Sequence, residues 1–282
     1  MKKQMDLFIT LSATDVRTKH SQELMERNWF SLSKNKRTED IKHKLDNGDW
    51  VKISSGKKGI ATIWDMNVLM FATSYLIDKR KKDEVVSNKI RFSSYEYQYF
   101  TGVKQHGGYA DKMLQQSLER LHTTRVETSI GRDEKKEHYK SFYWISDYEK
   151  YKDEKGNITG YQVELASWFF DMIINYKQVL TIDDGFFDIK GGLEKFIYLW
   201  ARKSLGYRNE WWRESFRSLY KKSACQSTFG TFSHTLRKII KKQSITNYIL
   251  KEQNGKLYIK RVNEEEKNTL LIQEENKLLE NA

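Results

Sequence analysis

Proline is absent from all 282 residues. No X-Pro bond can slow folding by isomerisation, and no stiff proline-rich linker separates domains. Cysteine occurs once, as Cys225. That excludes an internal disulfide and any zinc site built on several thiolates, and it suits a reducing cytoplasm. No apolar run approaches the roughly 18 residues of a membrane span. Asp6 and the polar residues after Leu11 interrupt MKKQMDLFITLSATD before it makes a signal-peptide core. The phosphate-binding pattern G-x-x-x-x-G-K-[ST] is missing, and SSGKKG at Ser54–Gly59 is too short and differently ordered to replace it. Histidines stand at positions 20, 43, 106, 122, 138 and 234, never as a His-x-His pair. Asp183-Asp184 reads as a helix-capping pair and Cys225 as a small buried residue beside a turn. The expectation is a protein that binds rather than catalyses, with no cofactor and no metal.

What is abundant is aromatic and basic. Eight Trp, 16 Tyr and 14 Phe can fill the cores of two domains, and 50 Lys+Arg against 38 Asp+Glu leave a net charge of +12. Such an excess favours an anionic partner. Residues 1–48 are polar and aperiodic, and read as a flexible arm with one short helix at Ser21–Arg27. Residues 263–282 are rich in Glu and read as an acidic tail.

Between these ends the chain makes one pattern twice. In the first copy, Trp64, Val68, Ala72, Tyr75 and Leu76 recur at helical spacing up to the charged run Asp78–Asp83. Ile90-Arg91-Phe92 is extended, and Ser93 or Ser94 caps a short helix through Phe100. After Gly107-Gly108, Ala110, Leu114, Leu118 and Leu121 mark another helix. Val126, Thr128 and Ile130 alternate with polar residues, and Phe142–Ile145 returns as a second strand. In the second copy, Leu193, Phe196, Ile197 and Trp200 form a buried helical stripe ended by Gly206. Phe216, Leu219 and Tyr220 mark a short helix, and Phe229, Phe232, Leu236, Ile239 and Ile240 the next. Tyr248-Ile249-Leu250 and Leu257-Tyr258-Ile259 then flank Asn254-Gly255, a strong hairpin signal. Tyr161, Val163 and Leu165, followed by a helix at Ser167–Ile174, form a structured bridge. Helix, short helix, helix, hairpin is the order of a winged helix. The expected class is α+β with tandem winged-helix domains at residues 49–158 and 159–262. Two unrelated α+β segments would show the same order.

Charge separates the copies. The last helix of the first copy, Ala110–His122, balances Asp111 and Glu119 against Lys112 and Arg120. Thr228–Lys242 carries Arg237, Lys238, Lys241 and Lys242 and no acid. On a helical wheel Thr231, His234, Lys238 and Lys241 lie opposite the apolar stripe, with Arg237 and Lys242 flanking. The wing adds Lys251, Lys256, Lys260 and Arg261 against Glu252 alone. This face, with Ser227 at its entrance, is the candidate double-stranded DNA contact. Thr231, His234 and Arg237 are placed to read bases, and Lys238, Lys241, Lys242 and the wing cations to hold phosphates. A solvated basic helix end is the plain alternative.

The residues also resemble a known family. NWFSLSKNKRT (28–38), ATIWDMNVLMFA (61–72), KIRFSSYEY (89–97), LQQSLERLHTTRVETSI (114–130), FYWISD (142–147), LASWFFDMI (165–173), VLTIDDGFFDIKGGLEKFIYLWARKSLG (179–206) and FGTFSHTLRKIIKK (229–242) are similar, in this order, to the plasmid replication initiator protein A family. The resemblance implies an initiator that binds origin repeats (iterons) and recruits host replication proteins, among them the replicative helicase and the host initiator. It also implies a first domain that forms a homodimer and a second that leads DNA binding. Separately, Gln4-Met5-Asp6-Leu7-Phe8 resembles the Q-L-[SD]-L-F motif that docks bacterial proteins on the sliding clamp, with Met5 in place of Leu. Leu7 and Phe8 would enter an apolar pocket with Gln4 at its edge. A winged-helix transcriptional regulator and a protein-interaction module with an acidic partner stay open as alternatives.

Overall fold

The computed structural model describes residues 19–102, 108–130, 139–175, 179–263 and 265–272. The fold is α+β, and the chain divides into two compact units. The first holds residues up to Leu24 and Trp29–Asp183, and the second holds Met25–Asn28 and everything from Asp184 onward.

The chain opens with β1 (Lys19–Ser21) and α1 (Gln22–Glu26), of which Met25 and Glu26 are counted in the second unit, and the first unit continues with β2 (Ile41–Lys44) and β3 (Trp50–Ser54). The expected flexible arm is therefore ordered from residue 19. Leu24, Trp29 and Phe30 are buried, and Ser31 bridges to Thr62. Periodicity could not reveal this, because isolated aromatics in a polar stretch make no stripe.

Then come α2 (Met66–Lys81), β4 (Lys89–Phe92), α3 (Ser94–Phe100), α4 (Gly108–Thr123), β5 (Arg125–Thr128), β6 (Lys140–Tyr143), β7 (Ile145–Lys152), β8 (Ile158–Leu165), α5 (Ser167–Asn175) and β9 (Val179–Thr181). The α2 helix is buried almost all round, from Met66 to Leu76, as befits the central helix of a domain. Ser93 caps α3 in a reciprocal box. Its hydroxyl accepts the Glu96 N–H at 3.1 Å, and its own N–H donates to the Glu96 carboxylate at 2.6 Å.

One sequence expectation fails here. β5 and β6 do pair, Val126 opposite Phe142, but they belong to a four-stranded sheet ordered β2-β3-β5-β6. The hairpin that follows the helices is β7–β8, turned at residues 153–157. It lies in a three-stranded sheet ordered β4-β8-β7. The strand with Tyr161, Val163 and Leu165, read as a bridge opening the second domain at residue 159, is the centre of this sheet, and the first unit runs on to Asp183. β7 escaped notice because most of its residues are exposed and only Ile145 is fully buried, so no apolar alternation shows.

The second unit follows the short 3-10 turn Asp184–Phe186. It contains α6 (Gly192–Leu205), β10 (Trp212–Ser215), α7 (Phe216–Ser223), α8 (Phe229–Lys242), β11 (Tyr248–Gln253) and β12 (Lys256–Arg261). Gly206 ends α6 at φ +59°, and Asn254 and Gly255 turn the hairpin at φ +50° and +69°, which selected them. The sheet order is β10-β12-β11. Element for element this repeats α2, β4, α3, α4, β7 and β8, including the order in the sheet. β10 was not foreseen.

Residues 265–272 are helical, so the expected acidic tail is ordered in part. Lys267 is buried there and donates to the Gln243 and Ile245 carbonyls at 2.9 and 2.8 Å, next to the C-terminus of α8. No helix among the described residues is long and apolar enough to cross a membrane.

Candidate nucleic-acid interface

The α8 helix is fixed at both ends and along one side. Thr228 caps its start, accepting the Thr231 N–H at 3.3 Å. Phe232, Ser233, Leu236 and Ile239 are buried against the unit. At the other end Gln243 takes a left-handed conformation, and its side chain bonds β11 twice, donating to the Leu250 carbonyl at 2.7 Å and accepting the Leu250 N–H at 2.9 Å. The helix is thereby pinned to the hairpin. Its opposite face is open: Thr231, His234, Arg237, Lys238, Lys241 and Lys242 are all exposed. The structure brings together the six helix residues predicted from the wheel.

The hairpin cations divide by strand register. Lys251 stands opposite Tyr258, and Gln253 opposite Lys256. Lys251, Lys256 and Lys260 therefore share the outer face of the sheet. Arg261 stands opposite buried Tyr248, on the inner face, and its guanidinium lies 5.4 Å from the Tyr207 ring centre. Lys260 pairs with Glu266 at 2.9 Å. Ser227 is half-buried, its carbonyl accepting the Tyr220 hydroxyl at 2.8 Å, so it supports the turn rather than facing outward. Cys225 is half-buried rather than buried, with its Sγ 3.1 Å from the Ser227 hydroxyl.

Arg237 is the residue whose setting differs most from the expectation of a free base reader. Its Nε and Nη2 reach both carboxylate oxygens of Glu252 at 2.9–3.1 Å, and its guanidinium lies 5.5 Å from the Phe216 ring centre. The hydrogen-bonded carboxylate pushes the Arg237 pKa further up. Register puts Glu252 on the inner face of the hairpin, opposite Leu257, which turns it toward α8.

The helix before α8 adds donors that the sequence pattern missed. Ser215 caps α7, and Arg217 and Lys221 are exposed on it. Asn28 closes the end of that helix, its backbone N–H donating to the Lys222 carbonyl at 3.0 Å and its side chain to the Ser223 carbonyl at 2.8 Å. The signal was present as two basic residues beside the apolar set Phe216, Leu219 and Tyr220, but a short helix drew less weight than the long one.

In the first unit the equivalent helix, α4, has its one C-terminal guanidinium committed. Arg120 donates to both oxygens of buried Asp65 at 2.7 and 2.6 Å, and Ser117 donates to the same carboxylate at 2.6 Å. The side-chain hydrogen bonds to Asp65 hold Arg120 above its ordinary pKa. The Thr62 backbone N–H and hydroxyl complete the cluster at 2.6 and 3.0 Å. Asp65 thus ties the start of α2 to α4. Gln4–Phe8 lie outside the described residues. No group of His, Cys, Asp and Glu that could hold a metal exists among the described residues.

The replication initiator protein A family matches residues 19–250, and the chain belongs to this family. A protein of Wigglesworthia glossinidia brevipalpis, provisionally named a replication protein, is 27% identical over 201 residues, covering 70% of this chain and 72% of its own. Two crystal structures of domains 2 and 3 of RctB share the fold. One superposes with a TM-score of 0.60 at 15% identity, covering 85% of this chain and 97% of its own. The other reaches 0.53 at 16% identity, with 89% and 99% covered.

Proposed function

We propose that each unit is a winged-helix domain, that α8 is the DNA-reading helix, and that the chain initiates replication by binding repeated double-stranded sites at an origin. The observation that carries the reading is the exposed face of α8. It offers Lys238, Lys241 and Lys242 to phosphates and Thr231 and His234 to base edges, while the buried face locks the helix in place. Membership in the replication initiator protein A family supports it. Arg217 and Lys221 on α7 would cross the backbone, and Lys256 near the hairpin turn would reach the flanking groove. In this reading the protein acts by binding energy, with no catalytic step.

The first unit, whose α4 lacks a free basic face, is the proposed site of homodimer formation or of contact with the host initiator and replicative helicase. Gln4–Phe8 would dock on the sliding clamp. Changing Leu7 and Phe8 to Ala should abolish clamp capture, and unchanged capture would remove that partner.

Footprinting on the DNA flanking the gene tests the main reading. Phased protection of direct repeats is the expected result. Protection of a single palindrome would favour a transcriptional regulator. Binding without steep salt dependence would favour a protein-interaction module with an acidic partner.

A further inference from the structure

Charge in the last part of the chain is sharply divided. From Thr228 to Val262 eight Lys and Arg stand against Glu252 alone, and from Asn263 onward six Glu stand against Lys267 and Lys277. A basic block followed at once by an acidic one can neutralise itself if the fold sets the two side by side.

The fold does so. Lys267, in the first turn of the helix of residues 265–272, is buried at the C-terminus of α8. Its ammonium donates to the Gln243 and Ile245 carbonyls, a cation at the negative end of the helix dipole. That anchor fixes where the acidic block begins. Two acids already sit on cations of the second unit's helix and hairpin: Glu252 on Arg237 and, from the acidic block itself, Glu266 on Lys260, both at 2.9 Å. Lys238, Lys241 and Lys242 remain exposed along α8. Reach is ample. The helix carries the chain about 8 Å past Lys267. Residues 273–282 can then extend about 33 Å. The 14 residues of α8 span about 21 Å.

We propose that residues 273–282 lie on the exposed face of α8 in the free protein, with Glu274, Glu275 and Glu280 meeting Lys238, Lys241 and Lys242, and that duplex DNA must displace them. The contact rests on charge and reach, and the competition rests on the reading of α8 as the DNA-reading helix. Carboxylates and phosphates are ligands of one face, so the segment lowers affinity for every duplex. Salt loosens the segment as well as the DNA, so its presence also flattens the salt dependence of duplex binding. The tether favours the chain's own segment over that of a second copy, because linkage raises its effective concentration to about millimolar.

Zero-length carbodiimide crosslinking of the full chain, read by mass spectrometry on the monomer band, tests the contact. Glu274, Glu275 or Glu280 should join Lys238, Lys241 or Lys242 in the free protein, and excess duplex from the gene's flanking DNA should suppress the product. Glu274→Gln with Glu275→Gln and Glu280→Gln should remove it, raise duplex affinity about three- to tenfold at low salt and steepen the salt dependence. The same charge change on exposed residues of the β7–β8 hairpin, Asp147→Asn with Glu149→Gln and Glu154→Gln, should raise affinity by less than about twofold. No crosslink to α8, or crosslinks confined to a dimer band, would overturn the proposal. Equal gains from the two triple variants would overturn it as well, by making net charge the cause. Crosslinks without any gain in affinity would overturn the competition. Lys241→Ala in the triple Gln background then separates the two claims: if duplex affinity does not fall, the α8 assignment is at fault and not the contact.

Discussion

Glu252 holds Arg237 in a two-pronged ion pair from the hairpin to the exposed face of α8. This is the only acid between Thr228 and Val262, and it engages the guanidinium best placed in the middle of the helix. The pair orients Arg237 and at the same time withholds part of its charge from a DNA partner. Glu252→Gln should therefore raise affinity for any duplex about two- to tenfold at low salt and steepen the salt dependence. Discrimination between the flanking repeats and scrambled DNA should fall, because an unheld arginine reads less specifically. Anisotropy titrations on both duplexes check this, and unchanged values for both would show that Arg237 takes no part.

The Asp65 cluster makes a prediction for the first unit. Replacing Asp65 by Ala strands Arg120, Ser117 and the Thr62 N–H without their shared acceptor. Loss of one partner of a buried ion pair costs about 3–5 kcal/mol. Denaturant unfolding should register a loss of that size. If the two units unfold separately, only the transition of the first should move.

The helices and the hairpin of the second unit, though not β10, were legible because their signals are local. A Gly at the end of α6, an Asn-Gly turn and apolar residues three and four apart each act within a few positions. Two things were hidden for physical reasons. The β7 strand has one fully buried residue, Ile145, and charge on Asp147, Glu149, Lys150 and Lys152, and is identified only by its partner β8. The buried segment around Trp29 and Phe30 is recognisable only once distant residues surround it. At the interface, exposure of the six α8 residues followed from the wheel, whereas the Arg237–Glu252 pair depends on the register of a hairpin that the wheel does not include. Arg261 was misplaced for the same reason, since strand parity sends it to the inner face.

Lys195 gives a pH signature for the second unit. It is buried in α6, donates to the Phe186 carbonyl at 2.8 Å and lies over that ring at 3.9 Å. Burial pulls its pKa down from the ordinary 10.5 to about 7, with Lys190 nearby adding to the effect. Below pH 7 the folded and unfolded chains both carry the proton and the penalty is constant. Between pH 7 and 10.5 the unfolded chain binds more protons than the folded one, so stability rises with pH. Lys195→Met should remove that contribution. The wild-type midpoint should gain on the variant's as pH increases from 7 toward 10, and a constant difference would refute the assignment.

Lys267 satisfies two carbonyls just beyond α8. Lys267→Met keeps the apolar stem and leaves both oxygens unpaired, at a cost of about 1–3 kcal/mol. Thermal unfolding should show it, together with faster amide exchange in the last turn of α8.

The central claim is that the open face of α8 meets duplex DNA through its lysines. The most direct test is the salt dependence of duplex binding for the wild type and for Lys241→Ala, a position that is exposed and remote from the core. The claim predicts weaker binding to every duplex and a slope of log K against log salt reduced by about one. An unchanged slope, with affinity equal to wild type on all duplexes, would contradict it.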